Sequence, residues 1–341
     1  MASKDEYLVS TWTIPADDAT LRSGLWRVGL GAAASTTQFE PHADAVYWAT
    51  PEPGSRSLLL LNNAEERSAL LRLTVDAVGS PQLSERWSSG GEGGSYLAFD
   101  PTERFFVVAN SSAGWSLFRN GEVPELLATV RNTGSGPHPR QAHSHPHCGI
   151  FSRDGRWIYA ADMGTDEVLA IPFDAEAGAL GEVVRAHRAA AGAGPRHIVL
   201  GDGVLYVLNE LDSTVEVLVA DDQGRMTSRQ VLSTVPEDFH GETHAGHLGL
   251  SPDGRRLYAT NRQHDSLAVF DVGSDGALTW RGAVPCGGSW PWHFVFTTAG
   301  RLVVANNHSD NLAVFDVDAE GWPTPVDSIP VVRPVFLAPL P

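Results

Sequence analysis

The sequence predicts an all-β fold: a seven-bladed β-propeller with four-stranded blades, its ring closed by a C-terminal strand that completes the first blade. Three observations carry this expectation. A hairpin unit recurs about every 50 residues, nothing in the pattern has a helical period, and the chain ends on a short spare strand.

The hairpins are plainest in four places. They are Ile150-Phe-Ser-Arg-Asp-Gly-Arg-Trp-Ile-Tyr-Ala-Ala-Asp162, Val199-Leu-Gly-Asp-Gly-Val-Leu-Tyr-Val-Leu-Asn209, Gly249-Leu-Ser-Pro-Asp-Gly-Arg-Arg-Leu-Tyr-Ala-Thr-Asn261 and Val295-Phe-Thr-Thr-Ala-Gly-Arg-Leu-Val-Val-Ala-Asn306. A weaker copy runs from Leu97 to Asn110. Asp-Gly between two apolar runs marks a hairpin because the turn needs residues that tolerate positive φ. A third alternating strand follows each copy, as at Ser266-Leu-Ala-Val-Phe-Asp-Val272, and fourth strands lie in the links, as at Leu278 to Val284. The terminal Asn or Asp is a marker at positions 62, 110, 162, 209, 261 and 306, with spacings of 48, 52, 47, 52 and 45 residues. Thr11, in Tyr7-Leu-Val-Ser-Thr-Trp-Thr13, falls 51 residues before Asn62 and supplies the seventh unit. That unit opens on its second strand, so Pro334-Val-Phe-Leu-Ala-Pro-Leu340 is expected to fill its first place and remove an open sheet edge. One domain over residues 1–341 is the expectation.

Composition narrows the function classes. A net charge of −17 argues against nucleic acid and anionic membrane surfaces as partners. No apolar run approaches the roughly 20 residues needed to span a bilayer, and the start lacks a signal pattern, so a cytoplasmic location is expected. Cys148 and Cys286 give no disulfide framework. Of the 24 basic residues only Lys4 is a lysine, so any bound anion must be held by arginine, histidine or backbone N–H groups.

In a propeller the start of the first strand and the end of the second meet at one mouth of the channel. Aligning the units puts His147 in register with Ser95, Arg196, Gly246 and Trp292. One residue past the marker lies a second ring: Asn63, Ser111, Met163, Glu210, Arg262 and Asn307. His147, Arg196, Glu210 and Arg262, from the fourth, fifth and sixth blades, are therefore expected to converge. The purely structural alternative is an Arg–Glu–Arg bridge bracing the blades. The functional one is a concave site with acid/base and anion-binding groups.

The same residues carry a family resemblance. The run Pro-His-x-x-x-Phe-Ser-x-Asp-Gly-Arg-x-x-Tyr-x-Ala-Asp-x-Gly-Thr-Asp at 146–166, with Gly194-Pro-Arg-His197, Asn209-Glu-Leu-Asp-Ser-Thr214 and Leu250 to Arg262, resembles the seven-bladed lactonases of the cycloisomerase-2 type 6-phosphogluconolactonase family. That family is related to fungal carboxymuconate cyclases. The likeness is specific from about 95 to 318. It implies a hydrolase that opens 6-phosphogluconolactone or a related aldonolactone, with His147, Arg196, Glu210 and Arg262 as catalytic residues. It implies no required metal, and no cofactor is expected. Two departures bear on the substrate: the seventh blade reads Pro291-Trp-His293 where the family has Pro-Arg-His or similar, and the sixth carries Thr243-His-Ala-Gly-His247. Trp292, His293, His197, His247, His143 and His145 are expected to line the substrate site.

Opening a lactone needs a base to activate water, a stabiliser for the oxyanion and a proton for the leaving alkoxide. His147 and Glu210 are both candidates for the base. Arg196 and Arg262, with Arg140 as a further contact, suit the oxyanion or an anionic substrate group. His143, His145 and His147 alternate in His-Ser-His-Pro-His, and His240, His244 and His247 form another group, but Ser144 and Pro146 speak for an irregular rim rather than a metal-binding strand. Two other functions fit the sequence: a lactone-forming carboxymuconate cycloisomerase, and a non-catalytic propeller that binds a protein partner.

Overall fold

The computed structural model describes residues 6–12, 24–30, 35–40, 46–63, 68–76 and 80–340. Its strands form seven antiparallel sheets, each built on a four-strand meander, in a ring. The inner strands, in chain order from blade 2, are Val46–Glu52, Gly94–Phe99, Pro146–Phe151, Pro195–Leu200, His244–Leu250 and Pro291–Phe296. Pro334–Pro339 is the inner strand of blade 1, pairing antiparallel with Glu6–Thr11 from Tyr7↔Pro339 to Thr11↔Pro334. The predicted closure is therefore met by the last strand beside the first. Each inner strand touches the next around the full circle, with Pro334–Pro339 contacting Val46–Glu52.

Both faces of each blade are buried because each packs on a neighbouring blade, so the middle strands read as nearly continuous apolar runs. Ser57–Asn62 and Phe105–Asn110 are buried at every position. Seven hydrophobic clusters result, one per interface; between blades 4 and 5, for example, Ile150, Ala161 and Val168 meet Ile198, Val207 and Leu218. Cys148 and Cys286 are buried free thiols.

The hairpin glycines do what their sequence context demands. Gly155, Gly203, Gly254 and Gly300 have φ of 69°, 68°, 71° and 80°. Around Gly203, Gly254 and Gly300 there is open space, so backbone conformation alone selects glycine there. In the weaker copy Glu103 takes the same role at φ 63°.

In blades 3, 4, 6 and 7 the repeated Asn/Asp marker ties the blade to the link that enters it, whereas Asn209 of blade 5 donates to Thr214 Oγ1 of its own blade. Asn261 donates to the Thr234 carbonyl (2.6 Å) and accepts from the Thr234 hydroxyl (2.6 Å). Asn110 makes the equivalent pair with Ser89, and Asn306 donates to the Cys286 carbonyl. In blade 4 the carboxylate of Asp162 accepts from the His145 N–H, Ser144 Oγ and Asn132 Nδ2. Of the residues that follow the markers, Asn63, Ser111 and Arg262 reach the cavity at the channel mouth.

Candidate active site

Each inner strand begins with a register shift. In blades 2, 3, 4, 5 and 7 the residue before the shift pairs with the marker: Val46↔Asn62, Gly94↔Asn110, Pro146↔Asp162, Pro195↔Asn209 and Pro291↔Asn306. The residue at the shift is left out of the ladder, which is how a β-bulge re-aims a side chain. Those residues are Tyr47, Ser95, His147, Arg196 and Trp292, and all five line one cavity of about 460 Å³ at the channel mouth. The predicted register thus holds in blades 3, 4, 5 and 7. In blade 6 the net shift is the same single residue: Gly246 follows Ala245, which pairs with the marker Asn261, and the ladder resumes at Leu248↔Ala259. A side chain at Gly246 would meet Thr260 Oγ1 at 2.7 Å and the Pro291 carbonyl at 2.9 Å. Its absence lets the Gly246 carbonyl reach Arg196 Nε at 2.6 Å.

Glu210 is the centre of the charge cluster. Its side chain has no exposed surface and three arginines converge on it. Arg140 Nη1 lies 2.5 Å and Arg262 Nη2 2.8 Å from Oε1, and Arg196 Nη1 donates to Oε2. Arg262 also donates to the Ala245 carbonyl and stacks over Trp290 and Trp292 at 5.7 and 5.5 Å. Arg140 comes from the link between blades 3 and 4 and is 44% exposed. That link is pinned by the buried Gln141, which donates to Asp166 Oδ1 (2.6 Å) and the Met163 carbonyl (2.7 Å).

The electrostatics follow from burial and these partners. Burial would raise the Glu210 carboxyl, but Arg196, Arg262 and Arg140 outweigh it and hold it well below the usual range. Burial drives His147 well below an ordinary imidazole, and Arg196 adds to the effect. His145 is pushed down to about 4, chiefly by burial. With neutral imidazoles, three guanidinium groups and one carboxylate leave the mouth at plus two in a chain of net charge −17. His147 lines the cavity, and its Nδ1 is buried without a hydrogen-bond partner among the described residues.

The remaining cavity walls are aromatic and hydroxylic. Trp12, Tyr47 and Trp292 pack edge to face with ring centroids 5.7 to 6.3 Å apart. Asn63, Ser95, Ser111 and Ser112 line the same cavity. The Tyr47 hydroxyl accepts from Arg196 Nη2 at 2.9 Å and from Trp292 Nε1 at 3.4 Å.

The structure thus brings His147, Arg196, Glu210 and Arg262 together, with His145 and Trp292 beside them. His143 is exposed on the approach, its Nδ1 2.8 Å from the Ser144 carbonyl. His197, His247 and His293 lie one layer deeper, outside the cavity lining. There they pack with Tyr96 and Phe336 around Trp48, whose ring is 5.7, 6.0 and 5.5 Å from the three imidazoles. His197 and His247 share a hydrogen bond at 3.1 Å, and burial pushes His247 down to about 3 and His197 and His293 well below normal. Among the described residues, no three His, Cys, Asp or Glu side chains are placed to hold a metal ion, and no helix is long and apolar enough to cross a membrane.

Sequence reasoning did not select Tyr47 or Trp12. The signal was present: Tyr47 precedes its marker by 15 residues, as His147 precedes Asp162, and Trp12 follows the Thr11 marker. The second blade lacks the Asp-Gly hairpin that made the others alignable.

Comparison with known proteins agrees with this fold. The profile described as "Lactonase, 7-bladed beta-propeller" matches residues 30–339. An uncharacterized protein of Lactococcus lactis subsp. cremoris is 39% identical over 184 residues, 52% of this chain and 53% of its own. The 6-phosphogluconolactonase of Bacillus subtilis is 33% identical over 217 residues, 61% of each chain. The matched region therefore spans about half to three fifths of those relatives. A periplasmic gluconolactonase of Pseudomonas aeruginosa has the same fold with a TM-score of 0.85, at 26% identity over 98% of this chain and 99% of that one.

Proposed function

The chain belongs to the seven-bladed β-propeller lactonase family, and from that premise we propose that it hydrolyses a sugar-type lactone, 6-phosphogluconolactone or a related aldonolactone, in the mouth cavity around Glu210. The observation that carries this reading is the set of three arginines on one buried carboxylate beside a neutral histidine. A net positive, partly desolvated cavity attracts an anionic sugar derivative, while the serine and asparagine wall suits its hydroxyls.

The choice of base follows from the same contacts. Both Glu210 oxygens are taken by guanidinium groups, so the carboxylate is a poor proton acceptor and its role is to position the arginines. His147 is the base: a neutral imidazole in the cavity wall, its ring bonded to none of the guanidinium groups that hold Glu210, it takes a proton from the attacking water. Arg196 and Arg262 face the oxyanion that forms on the ring carbonyl, and the more exposed Arg140 meets the substrate's anionic group. A neutral His147 also disfavours lactone formation from a muconate, which needs an acid to protonate an alkene carbon.

The test is hydrolysis of δ-gluconolactone and its 6-phosphate followed by proton release, with a chelator control. Wild type is expected to accelerate opening, and His147→Ala to lower kcat by about 100-fold or more. Equal rates with and without protein, or an unchanged His147→Ala profile, would overturn the reading.

A further inference from the structure

We propose that Tyr47 is a catalytic residue of this site, the acid that protonates the ring oxygen as the lactone opens. The inference rests on the lactonase reading above and adds a group that it lacks: something to supply the leaving alkoxide with a proton while His147 holds the one taken from water.

Three features of the structure converge on Tyr47. Its side chain lines the mouth cavity, with its ring 6.3 Å from that of His147. The two side chains can therefore act on one bound ester from neighbouring positions. Second, the phenolic oxygen accepts from both Arg196 Nη2 and Trp292 Nε1. A phenol has one proton and two lone-pair sites, so with both acceptor sites used the O–H is the remaining donor. No acceptor for that proton exists among the described residues, and the cavity lies beside it. Third, the same two N–H groups point at the atom that becomes negative when the proton leaves. One of them belongs to a guanidinium fixed on three sides by Glu210, the Gly246 carbonyl and Tyr47 itself. Donors preorganised toward developing charge lower a barrier without reorganising during the reaction.

The step balances as ordinary hydrolysis. Water oxygen bonds to the carbonyl carbon as its proton passes to His147. The tetrahedral intermediate then collapses, the bond from carbon to the ring oxygen breaks, and the alkoxide takes the Tyr47 proton. His147 returns its proton to Tyr47 through solvent in the open mouth, and the product leaves as a hydroxy acid. Nothing is oxidised or reduced. Tyr47 is well placed for this by the fold: the bulge after Val46 turns it out of the ladder, and blade 2 sets it opposite Arg196 of blade 5.

A leaving group that needs no proton separates this role from a merely supporting one. The probes are δ-gluconolactone and its analogue with sulfur in place of the ring oxygen, which departs as a thiolate. Tyr47→Phe keeps the ring and its packing; it is expected to lower kcat on the oxygen lactone by about 100-fold, with KM little changed, and largely to spare the thiolactone. Trp292→Phe, which removes one of the two donors to the phenol, is expected to show the same selectivity more weakly. Equal loss on both substrates would mean that Tyr47 only holds Arg196, and no loss, or a loss confined to KM, would also overturn the proposal. A wild-type protein that opens neither of these nor the 6-phosphate of δ-gluconolactone would instead refute the lactonase reading itself.

Discussion

Glu210 concentrates the energetics of the site in one side chain. Three guanidinium groups share its two oxygens with no solvent exposure, and the cluster spans blades 5 and 6 and the link before blade 4. It therefore braces the ring beside the cavity, as the structural alternative expected. Glu210→Gln preserves shape but leaves Arg196 and Arg262 buried without a counter-charge. A loss of about 3–5 kcal/mol is expected in chemical denaturation, together with loss of activity. His147→Ala should leave stability far less affected, because no hydrogen bond to its Nδ1 is broken. Similar stability losses in the two variants would show that Glu210 does not carry the cluster. The residue scale is also where sequence reasoning was least complete. Four of the charged and imidazole positions were legible because the repeat put them in register. Tyr47 was hidden by the divergent second hairpin, and the displacement of His197, His247 and His293 into the deeper layer depends on a bulge that no local pattern announces.

At the scale of the element, the hairpin turn and the strand-end marker do separate work. Asp-Gly was readable because a left-handed turn residue is a local requirement. Gly254→Ala is expected to cost about 1 kcal/mol, all of it from backbone strain since a methyl group there meets nothing. Glu103→Gly should move the other way and stabilise by a few tenths of a kcal/mol to about 1 kcal/mol, by relieving φ 63°. Thermal melts of the two variants check the shared cause, and shifts of the same sign would contradict it. The Asn/Asp marker was visible as a pattern, but its reason was not. In blades 3, 4, 6 and 7 its side chain satisfies the link from the previous blade, with partners 17 to 30 residues away.

For the whole molecule, the ring concentrates buried imidazoles on its axis. His145, His147, His197, His247 and His293 are all depressed by burial, His145 to about 4 and His247 to about 3. The sign of the linkage is fixed by this direction. In the unfolded chain these groups take up protons near pH 6.5, whereas in the folded protein they do so only at much lower pH. Stability is therefore complete above about pH 6.5 and falls as the medium is acidified, by about 1.4 kcal/mol per pH unit for each histidine kept neutral. Glu210 adds a loss of its own only below the ordinary carboxylate range. Melting temperature is expected to drop steeply from about pH 6.5 to about pH 5, and a flat profile there would contradict the neutral channel. The His147 base should stay deprotonated over the same interval, so initial rates are expected to outlast stability as pH falls.

What the sequence determined by itself was everything that repeats: seven units, four strands each, the closing strand, and the two rings of side chains delivered to one mouth. Those features are set by alternation and turn chemistry within about 50 residues, and each copy corroborates the others. What only the tertiary structure decided is which of those side chains meet. Arg196 and Tyr47 are 149 residues apart in the chain, and Trp292 and Tyr47 are 245 apart. They meet because the ring closes, and closure sets blade 2 across the mouth from blades 5 and 7. Local pattern can say that a residue faces the axis; only the closed circle says what stands opposite it.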